Sequence, residues 1–284
     1  MKSEMKEKEL FDRVSLRSSK LTTLAYSTSF SMGIRCFDTW LRDPIYSIYG
    51  FVRFADEIVD TLHDFDKKAL LARFREDTFQ AIEEKISLNP ILHSFQLTAN
   101  KFSIDHVLIE QFLHSMEMDL KKQEYDQKTF EEYILGSAEV VGLMCLKVFC
   151  KGDQETYEKL KPSAQRLGSA FQKINFLRDL NADYVGMGRS YFPGIDINSL
   201  DDGGKEKIEA DIAADFHAGY LGIKQLPKGA KFGVYVAYLY YLTLFKKICN
   251  TPSNHVLRKR IRIQNRTKVS ILFFSYLKYQ LNLL

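Results

Sequence analysis

After Asp215 the chain contains no aspartate or glutamate. Residues 216–284 carry 12 Lys or Arg, while residues 1–215 hold the other 28 basic residues and all 36 acidic ones, a split hidden by the net charge of +4. The tail therefore offers no acidic surface and suits anionic partners: nucleic acid, anionic lipid or a polyphosphate substrate. A solvated basic helix face would carry the same signature. The basic residues are not grouped into a recognition helix, and nucleic acid is not an expected partner.

Other scarcities narrow the class. Six prolines and 15 glycines in 284 residues disfavour an all-β sandwich with its frequent turns. Cys36, Cys145, Cys150 and Cys249 form no C-x-x-C pair and have no histidine at zinc spacing. Four free thiols in a reducing cytoplasm are expected. The N-terminal stretch "MKSEMKEKELFDRVSLRSSK" lacks the apolar core of a signal peptide, and residues 1–20 are expected to fray. The longest uncharged apolar run, "FGVYVAYLYYLTLF" at 232–245, has 14 residues and reads as a core helix rather than a membrane span.

What remains is 45% hydrophobic and only 27% charged, enough to bury a sizeable core. Helical periodicity recurs almost throughout, with no internal repeat. Breaks fall at "SLNP" near 90, "KGD" at 151–153, the long segment 186–204 and "NTPSN" at 250–254. Thr129 with Glu132 reads as a capping box opening another helix. The expectation is an all-α fold forming a single domain over 1–284.

Within it, "FVRFADEIVD" (51–60) places two aspartates four residues apart in an apolar run. Like charges at that spacing share a helix face and need a cation between them. The same pattern occurs at Asp60/Asp64, Asp179/Asp183 and Asp211/Asp215, so the neighbours must discriminate. Asp64 lies where a polar stretch begins, and Asp211/Asp215 lies in an amphipathic, charge-rich helix; both read as solvated. Tyr49, Arg53, Asp56 and Asp60 instead form one stripe, and Gln172, Asn175, Asp179 and Asp183 a second, each in apolar surroundings. Paired carboxylates on buried stripes fit Mg²⁺, and Arg53 and Arg178 beside them fit diphosphate oxygens. Two structural networks paired to Lys and Arg are the plainer alternative. With 21 Phe and 15 Tyr, aromatics could line a pocket for an isoprenoid chain and its cation beside these stripes, although at helical spacing aromatics are more often core.

These residues resemble the squalene and phytoene synthase family, the head-to-head prenyl synthases, from about residue 20 to about 265. "STSF" (27–30) and "PIYSIYGFVRFADEIVD" (44–60) are similar to its first aspartate-rich region. The most specific stretch is "LGSAFQKINFLRDLNADYVGMGRSYFP" (167–193). "YILGSAEVVGLM" (133–144) matches more loosely, with Glu139 where the family has a small residue. "NHVLRKRIRI" resembles the last helical region, with His255 in place of a common Tyr.

The resemblance implies a class I terpenoid (isoprenoid) synthase fold, its two acidic helices facing across a central cavity. Asp56, Asp60, Asn175, Asp179 and Asp183 would hold Mg²⁺, or Mn²⁺ in its place. Arg53 and Tyr191 would join the four aspartates in catalysis. Ser29, Phe30, Tyr49, Arg53, Tyr133, Val141, Gly142, Gln172, Asn175 and Arg178 would contact prenyl diphosphate substrates. The short chain, without the hydrophobic C-terminal anchor of eukaryotic squalene synthases, favours a bacterial-type phytoene synthase condensing two geranylgeranyl diphosphates. The alternative is squalene or dehydrosqualene from farnesyl diphosphate, with NADPH needed only for squalene. A greasy substrate and the basic tail suggest a cytoplasmic protein peripheral to the inner face of the membrane.

Overall fold

The computed structural model describes residues 2–121, 125–187, 192–193, 202–256 and 260–281, except for the side chains of 2–5, 181–187, 254, 265 and 280. Among the described residues the structure is helical, with no strand. The elements are α1 (Lys2–Tyr26), α2 (Thr28–Arg35), α3 (Thr39–Asp60), α4 (Lys67–Glu84), α5 (Pro90–Phe102), α6 (His106–Met118) and α7 (Gln127–Ile134). A π turn (Leu135–Glu139) leads into α8 (Val140–Phe149). Then come α9 (Gln154–Met187), α10 (Asp202–Gln225), α11 (Lys228–Cys249), α12 (Ser253–Val256) and α13 (Asn265–Gln280).

Local chemistry sets many boundaries. Asn89 caps α5 by accepting from the Ile91 and Leu92 amides, and Pro90 sits where its missing N–H is not needed. Lys151 and Gly152 adopt positive φ, 54° and 84°, and separate α8 from α9. The start of α7 corrects the expected capping box. Asp126, not Thr129, is the cap, and its carboxylate accepts from the Thr129 amide at 2.8 Å. Aspartate is the stronger cap, so the helix begins before Thr129. The long segment expected over 186–204 lies mostly outside the described residues.

From Phe11 onward the N-terminal stretch expected to fray belongs to a packed helix. Ser15, Ser19 and Thr23 recur every four residues on α1 and are fully buried. Each hydroxyl of Ser15 and Thr23 bonds back to the carbonyl four residues earlier. This small-residue stripe lies on α3 at Gly50, where an added Cβ would sit 2.7 Å from the Ser19 Oγ. The stripe has no large apolar residue, so hydrophobic periodicity gave no sign of it.

The core centres on Phe51, which is fully buried. Its ring stacks on Phe95 at 4.0 Å and meets Phe74 at 5.6 Å and Phe112 at 5.3 Å. Helices α3, α4, α5 and α6 thus converge on one side of α3, and the Arg53 stripe is left on the other. At Gly168, α9 crosses the π turn so closely that a Cβ would lie 2.9 Å from the Ala138 carbonyl oxygen. These contacts fix where α3 and α9 present their polar faces.

Candidate active site

On α3, Tyr49, Arg53, Asp56 and Asp60 are all partly exposed, whereas Phe51, Ala55, Ile58 and Val59 are buried. Arg53 donates from Nη1 to Asp56 at 2.8 Å and pairs through Nη2 with Glu57. Its guanidinium also lies 4.4 Å from the Tyr26 ring centroid. On α9, Phe171, Gln172, Asn175, Arg178 and Asp179 keep accessible surface between buried Lys173, Ile174, Phe176 and Leu177. Asp179 is clasped by two arginines. Arg178 donates to it at 2.5–3.1 Å, and Arg260, from the segment before α13, pairs at 2.7 Å.

A line of aromatic rings joins the two stripes. Tyr49 meets Phe30 of α2 at 5.7 Å, Phe30 meets Tyr241 of α11 at 6.3 Å, and Tyr241 stacks on Phe171 of α9 at 3.9 Å. Burial pushes up the Tyr241 phenol, against the opposing influence of Arg178 and of the Asn175 amide beside it. Burial likewise raises Tyr49, against the opposing influence of Arg53. On α8, Val141, Gly142 and Cys145 share one face and keep accessible surface. Desolvation nevertheless pushes the Cys145 thiol up to about 12.

The sequence-derived residues therefore separate. Phe30, Tyr49, Arg53, Asp56, Gln172, Asn175, Arg178 and Asp179 fall on the two stripes and the ring line between them, with Asp60 at the end of α3 and Ser29 beside Phe30. Tyr133 is buried elsewhere, donating to Asp119 at 2.8 Å and packing on Tyr125 and Phe176. Tyr191 and the side chain of Asp183 lie outside the described residues. Four participants went unnoticed in the sequence: Glu57, Phe171, Tyr241 and Arg260. Tyr241 was hidden in a run read as core, and Arg260 lay within the motif resembling the family's last helix.

Glu139 is turned toward the seam between α9 and α10. It accepts from Gln165 Nε2 at 3.1 Å, and Asp215, Lys173 and Arg166 are close enough to act on it. Burial, the largest influence, raises its carboxyl above the ordinary 4.5. The unfolded chain then releases this proton at lower pH than the folded one, so stability declines as pH rises above 4.5. Glu139→Gln is expected to raise the thermal midpoint at pH 7 and leave it unchanged at pH 4. A variant equally stable or less stable at pH 7 would contradict this origin.

Could the stripes hold a cation? Among the described residues no three carboxylate, His or Cys side chains converge on a metal position. Yet the donor set suits a hard divalent ion: carboxylates at Asp56, Asp60 and Asp179, and an amide oxygen at Asn175. The Asn175 Oδ1 is buried and accepts no hydrogen bond among the described residues, an acceptor in want of a positive partner. The residues present fit the group. Arginines Arg53, Arg178 and Arg260 meanwhile supply the positive charge.

The family model for squalene/phytoene synthase matches residues 23–201, more than half of the chain. This chain belongs to that family. Among its relatives, the presqualene diphosphate synthase of Zymomonas mobilis is 28% identical over 273 residues, 87% of this chain and 90% of that protein. The presqualene diphosphate synthase of Rhodopseudomonas palustris is 28% identical over 60% of each chain. The bifunctional lycopene cyclase/phytoene synthase of Blakeslea trispora is 25% identical over 95% of this chain. The chain spans 60% and 50% of the lengths of those last two proteins. A solved dehydrosqualene synthase superposes with a TM-score of 0.79 at 20% identity, over 94% of this chain and 98% of the other. The family's all-α isoprenoid synthase fold is thereby shown.

Proposed function

We propose that this chain is a prenyltransferase that joins two geranylgeranyl diphosphates head to head, giving phytoene through a cyclopropyl diphosphate intermediate. The observation carrying this reading is the pairing of two arginine-bearing carboxylate stripes with the aromatic line between them. Arg53, Arg178 and Arg260 hold carboxylates through guanidinium forks that suit diphosphate oxygens equally well. Asp56, Asp60, Asn175, Asp179 and Asp183 are the ligands for Mg²⁺, or for Mn²⁺ in its place. When bound, the metal stabilises the departing diphosphate electrostatically. Phe30, Tyr49, Phe171 and Tyr241 offer ring faces to an allylic cation and, with Val141 and Gly142, exclude water from it. Ser29, Gln172 and Tyr191 complete the substrate contacts, and Tyr133 shapes the wall from behind through Phe176.

A second reading keeps the chemistry and shortens the substrate to farnesyl diphosphate. It is favoured by the relatives named presqualene diphosphate synthase, one of which aligns along 87% of the chain. The product is then the cyclopropyl diphosphate itself, dehydrosqualene, or squalene if NADPH delivers hydride. The deciding experiment offers the purified protein each diphosphate separately with Mg²⁺, with and without NADPH, and identifies products by mass. Phytoene from geranylgeranyl diphosphate is the expected outcome. Products only from farnesyl diphosphate select the second reading, and no product from either, in a folded protein, rejects both. Such an enzyme works on greasy molecules at the inner face of a membrane, from the cytoplasmic side. No helix of the described residues is long and apolar enough to cross one.

A further inference from the structure

Helix α13 carries apolar residues on two sides, and only one is covered. Its inner side packs on α11: Ser275 is buried, Phe232 meets Tyr279 at 5.0 Å, and the Tyr240 hydroxyl donates to the Lys268 carbonyl at 3.1 Å. On the outer side Val269, Phe273, Phe274, Leu277 and Leu281 are between 42% and 67% exposed, and Tyr276, 50% exposed, stands at the edge, where its ring still meets Phe232 at 6.1 Å. At 100° per residue they sweep an arc of roughly 160°. An apolar arc of that width on the outside of a folded chain marks an interaction surface rather than scatter.

We propose that this face docks on an anionic lipid surface. Charge selects the occupant. Arg266 lies within the exposed arc at the first turn of the helix and Lys278 borders it, Arg260 and Arg262 lie just before the helix, and the chain has no acid beyond Asp215. A second copy docking through the same face about a two-fold axis would set these cations against themselves with no carboxylate of the tail to pair them. An anionic bilayer satisfies both properties, taking the aromatic and aliphatic side chains below its headgroups and the arginines and lysines among them.

The helix also adjoins the candidate site, through its covered side. Lys268 Nζ lies 3.4 Å from Thr28 Oγ1, at the start of the helix that carries Ser29 and Phe30. Arg260, five residues before α13, reaches Asp179. A chain docked through the outer face of α13 therefore holds the aromatic end of its site about one helix diameter, roughly 10 Å, from the lipid surface, within reach of a prenyl tail. That link to substrate entry rests on the prenyl-synthase reading, whereas the lipid contact itself does not.

Vesicle sedimentation of the full chain tests the contact. Phosphatidylglycerol-containing vesicles should bind at least about tenfold better than pure phosphatidylcholine at low salt, with the advantage falling as salt rises. The pair Phe273→Ser and Phe274→Ser should weaken binding by about tenfold or more at an unchanged thermal midpoint. The pair Arg266→Glu and Lys278→Glu should remove the preference for anionic lipid. Turnover of detergent-dispersed substrate should persist in both. Equal binding by the serine pair and the parent chain, or no preference for anionic vesicles, overturns the proposal. So does a dimer of the parent chain that the serine pair dissolves, which assigns the face to a second copy. Vesicle binding that behaves as described in a protein without prenyl-synthase activity would reject the catalytic reading and leave the docking surface standing.

Discussion

Asp56→Ala is expected to lower kcat by roughly a thousandfold or more, the scale of losing a principal electrostatic stabiliser of the reacting charge, while the fold stays intact. The separation of the two effects follows from the geometry around Arg53. Asp56 is about one third exposed, and the guanidinium that holds it also pairs with Glu57, one residue along the same helix. Among the described residues, deleting Asp56 therefore strands no cation, and the change in stability should stay within about 0.5 kcal/mol. Asp179→Ala would be a poorer probe, since it leaves Arg178 and Arg260 facing one another without their shared carboxylate. Asp183→Ala, on the second stripe, should match Asp56→Ala in effect. Product formation under saturating Mg²⁺, with circular dichroism as the control for folding, decides the matter. Turnover at the parent rate in either variant would remove these carboxylates from the metal assignment and leave the stripes as structural ion pairs.

Both stripes were legible because each is local. Positions 49, 53, 56 and 60, or 172, 175 and 179, are fixed relative to one another by helical geometry alone. The helical fold was legible for a related reason, since periodicity and a few caps such as Asn89 are short-range signals. What the sequence hid is non-local. Tyr238, Tyr240 and Tyr241 lie within one apolar run, and nothing in it distinguishes their fates. Tyr238 stacks on Tyr220, Tyr240 bonds the Lys268 carbonyl, and only Tyr241 reaches Asn175. Arg260 meets Asp179 across 81 positions of sequence. The arginines also occupy the carboxylates in the way the plainer alternative anticipates, so spacing alone could not separate a structural network from a binding site. Both use the same side chains.

Asp215 shows the same limit from the other direction, and it carries the second large prediction. Read as one of a solvated pair, it is fully buried, while Asp211 one turn earlier remains about half-exposed. Helicity places the two on one face, but only the packing of α9 on α10 decides which end is covered. Asp215 accepts from Lys173 Nζ at 2.7 Å and from Ser169 Oγ at 3.1 Å, and it pairs with Arg166 at 3.0 Å. Lys173 is itself nearly buried and, among the described residues, hydrogen-bonds one other carboxylate, Asp211, at 2.5 Å. Asp215→Ala should therefore cost about 3–5 kcal/mol, the penalty of leaving a buried cation short of its counter-charge. Arg166, half-exposed, can turn to water and adds little. Replacing both buried charges, Lys173→Met with Asp215→Leu, should recover most of that loss, because two desolvation penalties disappear together. Urea unfolding midpoints measure both variants. A single variant within about 1 kcal/mol of the parent, or a double variant no better than the single, would show that the buried pair does not hold α9 to α10. Residues 166, 169 and 173 lie about a third of a turn, roughly 120°, around α9 from Gln172, Asn175 and Asp179. Recovered stability with recovered turnover would then mean that the catalytic face needs its helix held in place, by charge or by packing alike.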